Sequence, residues 1–111
     1  MKNKKVVIID DEEDLGLLMK HFFSSKKIDV YVARTIAAGM KLLEEHRPDF
    51  IFLDNKLPDG LGWTKAEYIL VTYPQTQLNL MSALDAPKTS SRSFRILEKP
   101  ILWEELTKMF G

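Results

Sequence analysis

Short apolar runs and stripes of helical period alternate along this 111-residue chain. Lys5 to Ile9 is a β-branched run of the kind found in strands buried on both faces, and Asp10-Asp11 ends it abruptly with charge. The period then changes. Leu15, Leu18, Met19 and Phe22 recur at helical spacing behind Glu12, Glu13 and Asp14, whose negative charge suits a helix N-terminus. Ile28 to Ala33 reads as a second strand, and Thr35 as the N-cap of a helix carrying Ile36, Met40 and Leu43 and punctuated by Pro48. Phe50 to Leu53 is a third apolar strand, again stopped by an aspartate, Asp54.

Asn55 to Gly60 is rich in turn formers, and beyond it Ala66, Ile69, Leu70 and Tyr73 restore the helical stripe up to Pro74. Leu78 to Met81 and Phe94 to Leu97 read as a fourth and a fifth strand, and Ile101 to Phe110 as a last helix. Between Ser82 and Phe94 the chain has a central proline and almost no apolar residue, so it is read as loop with at most a short turn of helix. Strands alternating with helices predict an α/β fold: a parallel sheet, helices on both faces, and ligands outside the C-terminal strand ends.

Composition narrows the function. Sixteen basic and sixteen acidic residues leave a formal net charge of zero, so no broad positive field exists to hold nucleic acid phosphates, and direct DNA binding is not expected. Cysteine is absent, which excludes disulfides, thiolate metal sites and cysteine nucleophiles. The four apolar residues before Asp10 are too few for a signal peptide core or a membrane span, so a soluble, cytoplasmic, single-domain protein over residues 1–111 is expected, with no membrane partner.

If the first and third strands are neighbours, Asp10, Asp11 and Asp54 emerge together at one sheet edge. Like charges so close repel in a partly desolvated cleft unless a cation intervenes, and all-oxygen ligands with room for water suit Mg²⁺. The bland alternative is that Asp10 to Asp14 decorates a helix N-terminus while Asp54 starts a turn; it leaves unexplained why two strands both end in aspartate. Lys99 after the fifth strand could neutralise a phosphate oxygen, and Ser82 after the fourth could donate a hydroxyl to it, although each taken singly also fits a solvated lysine and a turn serine. His21 and His46 have no partners at metal-ligand spacing and read as exposed helix residues. Trp63 and Trp103 read as partial core opening the third and last helices, and Gly60 and Gly62 as turn residues.

Asp10-Asp11, the run Arg47-Pro48-Asp49-Phe50-Ile51-Phe52-Leu53-Asp54, the loop Leu57-Pro58-Asp59-Gly60, Ser82-Ala83 and Lys99-Pro100, in that order after alternating strands, closely resemble the receiver domain of two-component response regulators, the CheY-like superfamily. The resemblance runs from about Lys4 to Phe110. It implies a flavodoxin-like, doubly wound sheet of five parallel strands in the order 2-1-3-4-5. It implies further that Asp54 is the phosphoacceptor, taking a phosphoryl group from a histidine kinase or histidine phosphotransfer protein in a phosphorelay. Asp11, Asp54 and the backbone carbonyl of Asn55 would bind Mg²⁺ directly, and Asp10 through a coordinated water. Lys99 would pair with the phosphoryl group beside a cis peptide at Pro100. Ser82 would be the switch hydroxyl, with small Ala83 beside it leaving the approach open. Lys56 and Leu84 lie where family members tune access of water to the acyl phosphate. The chain would then be a signalling module that catalyses only its own phosphorylation and dephosphorylation and switches the binding of a downstream protein target.

Two departures from the family pattern stand out. The aromatic residue usual three places before the lysine is replaced by Ile96, and Ser82 and Lys99 are closer in sequence than a full fourth helix requires, so that helix is expected to be shortened or missing. Its loss would expose sheet surface near Leu78, Leu80 and Ile96 and make the altered region a candidate homodimer surface. A degenerate receiver acting as a constitutive binding module is the first alternative. A small Mg²⁺-dependent phosphatase working through an aspartyl phosphate is the second, weakened by Lys56 standing where a second aspartate would supply a general acid.

Overall fold

Four apolar residues of β1 (Lys5–Ile9) alternate between the two faces of a sheet, and each face has its own core. The computed structural model describes residues 3–82 and 94–110. In chain order the elements are β1, α1 (Glu13–Ser25), β2 (Asp29–Ala33), α2 (Ile36–His46), β3 (Phe50–Asp54), the two-residue strands β4 (Lys56–Leu57) and β5 (Gly60–Leu61), a 3₁₀ turn (Gly62–Lys65), α3 (Ala66–Thr72), β6 (Gln77–Ser82), β7 (Phe94–Glu98) and α4 (Trp103–Phe110). The main sheet is parallel throughout and ordered β2-β1-β3-β6-β7. With the small β4-β5 hairpin set aside, that is the expected 2-1-3-4-5 order, and β1 and β3 are neighbours as the acidic site requires.

Val7, Ile9, Ile51, Leu53, Leu78 and Leu80 face α2 and α3, where Ile36, Leu43, Ile69 and Tyr73 close the core. Val6, Ile8, Phe52 and Met81 face α1 and α4, against Leu15, Met19, Phe22, Phe23 and Leu106. Thr35 caps α2 as expected, its hydroxyl accepting from the Ala38 N–H at 3.1 Å. Among the described residues no helix is long and apolar enough to cross a membrane.

Several expectations need correction. Leu78 and Leu80 are 0% and 4% exposed, because their side of the sheet is covered by α3; Ile96 is half-buried against the same cluster. The segment after Asp54 is a hairpin and not an open loop: Lys56 pairs with Leu61 and Leu57 with Gly60, whose φ of 143° suits glycine. The last helix begins at Trp103 instead of Ile101. Trp103 is 41% exposed, although its ring meets Phe22 edge-on, and Trp63 lies in the 3₁₀ turn that precedes α3. His21 is exposed as read, but His46 is half-buried with its ring stacked on Tyr31 at 3.7 Å. The expected shortening of the helix between the fourth and fifth strands of the main sheet, the positions Ala83 and Leu84, and the candidate homodimer surface lie outside the described residues.

Candidate functional site

The ends of three sheet strands and the segment after β7 bring the chemistry together. Asp10, just past β1, is 1% exposed and held at both oxygens: Oδ1 accepts from the Glu12 N–H at 2.8 Å, and Oδ2 lies 2.8 Å from the Lys99 ammonium. Asp54, the last residue of β3, is 5% exposed, with Oδ2 3.4 Å from the same ammonium. Asp11 is half-buried and offers a carboxylate oxygen within 4.8 Å of those of Asp10 and Asp54. The three aspartates the sequence brought to one edge therefore do meet, and Lys99 meets two of them.

The electrostatics follow from burial. The Asp54 carboxyl is raised above the ordinary carboxylate range, first by burial and then by the Asp10 charge, with Lys99 opposing both. For Lys99 burial acts in the lowering direction, but hydrogen bonds to Asp10 and Glu12 and the charges of Asp10 and Asp54 outweigh it and raise the ammonium above the usual lysine range. A cleft of about 380 Å³ opens over these groups, lined by Asp11, Glu12, Asp54, Asn55, Lys56, Ser82 and Lys99. Such a clustered, oxygen-only donor set fits a hard divalent cation, whose charge would oppose the burial and the Asp10 charge that raise Asp54.

Around the carboxylates the backbone is tightly tied. The Gly62 N–H donates to the Asn55 carbonyl at 2.6 Å, and a Cβ on Gly62 would lie 2.1 Å from the Asp54 carbonyl oxygen. Gly62 is thus a close-approach residue, beyond the turn role expected of it. The Lys99 N–H donates to the Ser82 carbonyl at 2.8 Å, extending the β6-β7 ladder to the site, and the Lys99-Pro100 peptide is cis as the resemblance implied.

A model of the response regulator receiver domain matches residues 6–110, nearly all of the chain. The chain belongs to the response regulator receiver family. It is 30% identical over 106 residues to the response regulator protein PilR of Pseudomonas aeruginosa, covering 91% of this chain and 24% of that protein. It is 29% identical over 63 residues to sporulation initiation phosphotransferase F of Bacillus subtilis, covering 55% of this chain and 51% of the relative. The chain therefore spans about a quarter to a half of the length of these curated relatives. Among solved structures, a two-component response regulator from Clostridium difficile superposes with a TM-score of 0.85 at 25% identity, covering 96% of this chain and 92% of that one. The signal receiver domain of a LuxO repressor homologue from Vibrio parahaemolyticus superposes at 0.83 with 23% identity, covering 97% and 87%.

The contacts of three residues in or around this receiver's cleft escaped the sequence reading. Glu12 places Oε1 2.8 Å from the Lys99 ammonium, closer than Asp54 does. Asp59, on the hairpin after Asp54, reaches across to α2, its carboxylate accepting from the Ile36 and Ala37 N–H groups at 2.8 and 3.0 Å. Those bonds hold its carboxyl below the ordinary range. Trp63, read as partial core, donates its indole N–H to two strand-end carbonyls, those of Leu53 at 3.3 Å and Met81 at 3.2 Å. Asp59 beside Gly60 is a recognisable turn pair, the one signal in the sequence that points to the hairpin.

Proposed function

We propose that this receiver accepts a phosphoryl group on the Asp54 carboxylate from the phosphohistidine of a kinase or phosphotransfer protein, and that the modification switches binding of a downstream protein. The observation that carries the reading is the buried Asp54 carboxylate on the floor of the cleft, with a lysine ammonium 3.4 Å away and two further aspartates beside it. An Asp54 oxygen forms the new O–P bond while the P–N bond to histidine breaks and the imidazole keeps the electron pair. The nucleophile must be ionised, and the Lys99 ammonium 3.4 Å away favours that form against burial and the Asp10 charge.

Asp11, Asp54 and the Asn55 carbonyl would hold Mg²⁺, with Asp10 contributing through water. When bound, that ion supplies positive charge to the transferring phosphoryl oxygens. Lys99 keeps Asp10 in place before the reaction and is positioned to pair with a phosphoryl oxygen afterwards. Ser82, at the end of β6 and on the cleft wall, is the candidate switch hydroxyl. Likeness to sporulation initiation phosphotransferase F supports a relay, and Lys56 on the cleft wall, two places after Asp54, supplies no carboxylic acid for a phosphatase.

Incubation with acetyl phosphate and Mg²⁺ tests the reading by intact mass. A gain of one phosphoryl group that is lost in Asp54→Asn supports it. No gain in the wild-type protein would leave a constitutive binding module as the function, and turnover of an added phosphate ester would make the protein a phosphatase. In the phosphorylated protein, Lys56→Asn should change the lifetime of the acyl phosphate; an unchanged lifetime removes Lys56 from the site's tuning residues.

A further inference from the structure

The indole of Trp63 ends the β3-β6 ladder. β3 and β6 run in parallel with Leu53 opposite Leu80 and Asp54 opposite Met81. The two carbonyls that share the Trp63 N–H, those of Leu53 and Met81, immediately precede the candidate phosphoacceptor Asp54 and the candidate switch residue Ser82. One donor shared by two acceptors is a three-centre bond, and its lengths of 3.2 and 3.3 Å are those expected when a single hydrogen serves both. The same residue is anchored from behind, its backbone N–H donating to the Asn55 side-chain carbonyl at 3.2 Å. The adjoining Gly62 N–H holds the Asn55 main-chain carbonyl. Residues 62 and 63 therefore touch Leu53, Asn55 and Met81 at once, from a buried Gly62 and a half-buried Trp63.

We infer that Trp63 is a positioning residue for the phosphoryl chemistry: its indole N–H fixes the separation of the β3 and β6 tips, and so the gap between the Asp54 carboxylate and the Ser82 hydroxyl. This rests on the reading of Asp54 as phosphoacceptor. Trp63 touches none of the reacting atoms, and its effect passes entirely through the two backbones it joins. A leucine or phenylalanine would fill much of the same apolar space but would leave the two carbonyls without their common donor, letting the tips drift relative to one another. Displacements of about an ångström at reacting groups are enough to slow chemistry up to about a hundredfold.

The test compares wild-type protein, Trp63→Phe and Trp63→Leu for the rate of Asp54 phosphorylation by acetyl phosphate at saturating Mg²⁺, alongside Mg²⁺ affinity and thermal melting. The expected result is a loss of about tenfold in rate in both variants. Because Asp54 sits on the tip the indole holds, saturating Mg²⁺ keeps any change in ion affinity out of the measured rate. A fall in melting temperature with a wild-type rate measured well below it would overturn the inference while leaving the proposed function intact, since a residue with a purely structural role moves only stability. Wild-type protein that gains no phosphoryl group would overturn the reading of the site and the inference with it. One measurement needs no variant of Trp63. In ¹⁵N-labelled protein, with Trp103→Phe to assign the two indole resonances, the Trp63 indole proton should exchange with water far more slowly than that of Trp103. Adding beryllofluoride with Mg²⁺ as a phosphoryl mimic should shift it. Equal exchange of the two indoles, or a Trp63 resonance indifferent to the mimic, would also overturn the inference.

Discussion

Gly62→Ala is the smallest substitution that should disable the floor of the cleft. The added Cβ would stand 2.1 Å from the Asp54 carbonyl oxygen, 3.0 Å from Leu53 Cδ1 and 3.1 Å from Leu57 Cδ1. The leucine methyls can give by a few tenths of an ångström, but the carbonyl cannot, because β3 is hydrogen-bonded on both sides, to β1 and to β6. The 3₁₀ turn must therefore back away from the strand. Doing so breaks the Gly62–Asn55 bond of 2.6 Å and the Trp63–Asn55 bond of 3.2 Å. Overpacking costs about 1–3 kcal/mol, and each lost bond about 1 kcal/mol, against which an alanine regains only about 0.4–1 kcal/mol through the unfolded chain. A net loss of about 3 kcal/mol is expected, which in a domain of this size lowers the melting temperature by about 10 °C or more. Gly16→Ala is the matched control. Its Cβ meets only Val32 Cγ1 at 3.5 Å, an ordinary contact, and it sits inside α1, so it should stabilise by about 1 kcal/mol. Thermal melts of the two variants check the reasoning, and it is refuted if Gly62→Ala melts with the wild type or if the two substitutions shift stability equally.

Three further outcomes are expected. Asp59→Ala should destabilise at neutral pH by removing the acceptor of two α2 N–H groups. Because the folded carboxyl titrates below its unfolded value of 3.8, the wild-type advantage is present above that pH and should vanish as pH falls through the folded value in acid unfolding curves. Asn79 is fully buried in β6 with its amide nitrogen bonded to the Ile51 carbonyl at 3.1 Å and its Oδ1 without a partner among the described residues, so Asn79→Val should raise stability by about 1 kcal/mol in urea titrations. Lys99→Met should lose stability by leaving the buried Asp10 and Asp54 carboxylates without their common cation, and excess Mg²⁺ should restore more stability to the variant than to the wild type in thermal melts.

The main sheet was legible because each of its strands is a short apolar run and three of them end at polar residues that later prove to line the cleft. Asp10, Asp11 and Asp54 could be joined across more than forty positions because a parallel α/β sheet exposes all strand C-termini on one edge. The contacts that escaped have no local signature. Glu12 lies 87 residues from Lys99 in sequence, and as the third acid in a row it looked like ordinary helix-start charge. Trp63 supplies an apolar ring to a helical stripe, and nothing in its spacing says that its one polar atom turns toward two strand ends. The mistaken exposure of Leu78 and Leu80 has a similar cause. A strand buried on both faces has no polar side, so periodicity alone cannot say which helix covers which face.

The distribution of charge within the cleft explains which parts are built to stay and which to move. Four carboxylates, of Asp10, Asp11, Glu12 and Asp54, gather near the Lys99 ammonium, with Lys56 also on the cleft wall, so the described groups retain a negative balance that an added cation would offset. Lys99 contacts three of the four and leaves Asp11, the half-buried one, facing the cleft. Asp10 and Asp54 are buried on rigid strand ends and cannot follow a moving partner. Glu12 can: its side chain is 55% exposed. Only the Glu12 end of this pair is exposed, Lys99 being 8% exposed, so of the three carboxylates on Lys99 it is the one whose side chain has room to move away. Glu12 draws the Lys99 ammonium to 2.8 Å, nearer than the 3.4 Å at which it stands from Asp54. Glu12→Gln should accordingly bring Lys99 closer to Asp54 and slow phosphorylation at limiting Mg²⁺; a rate equal to that of the wild type would remove Glu12 from the chemistry.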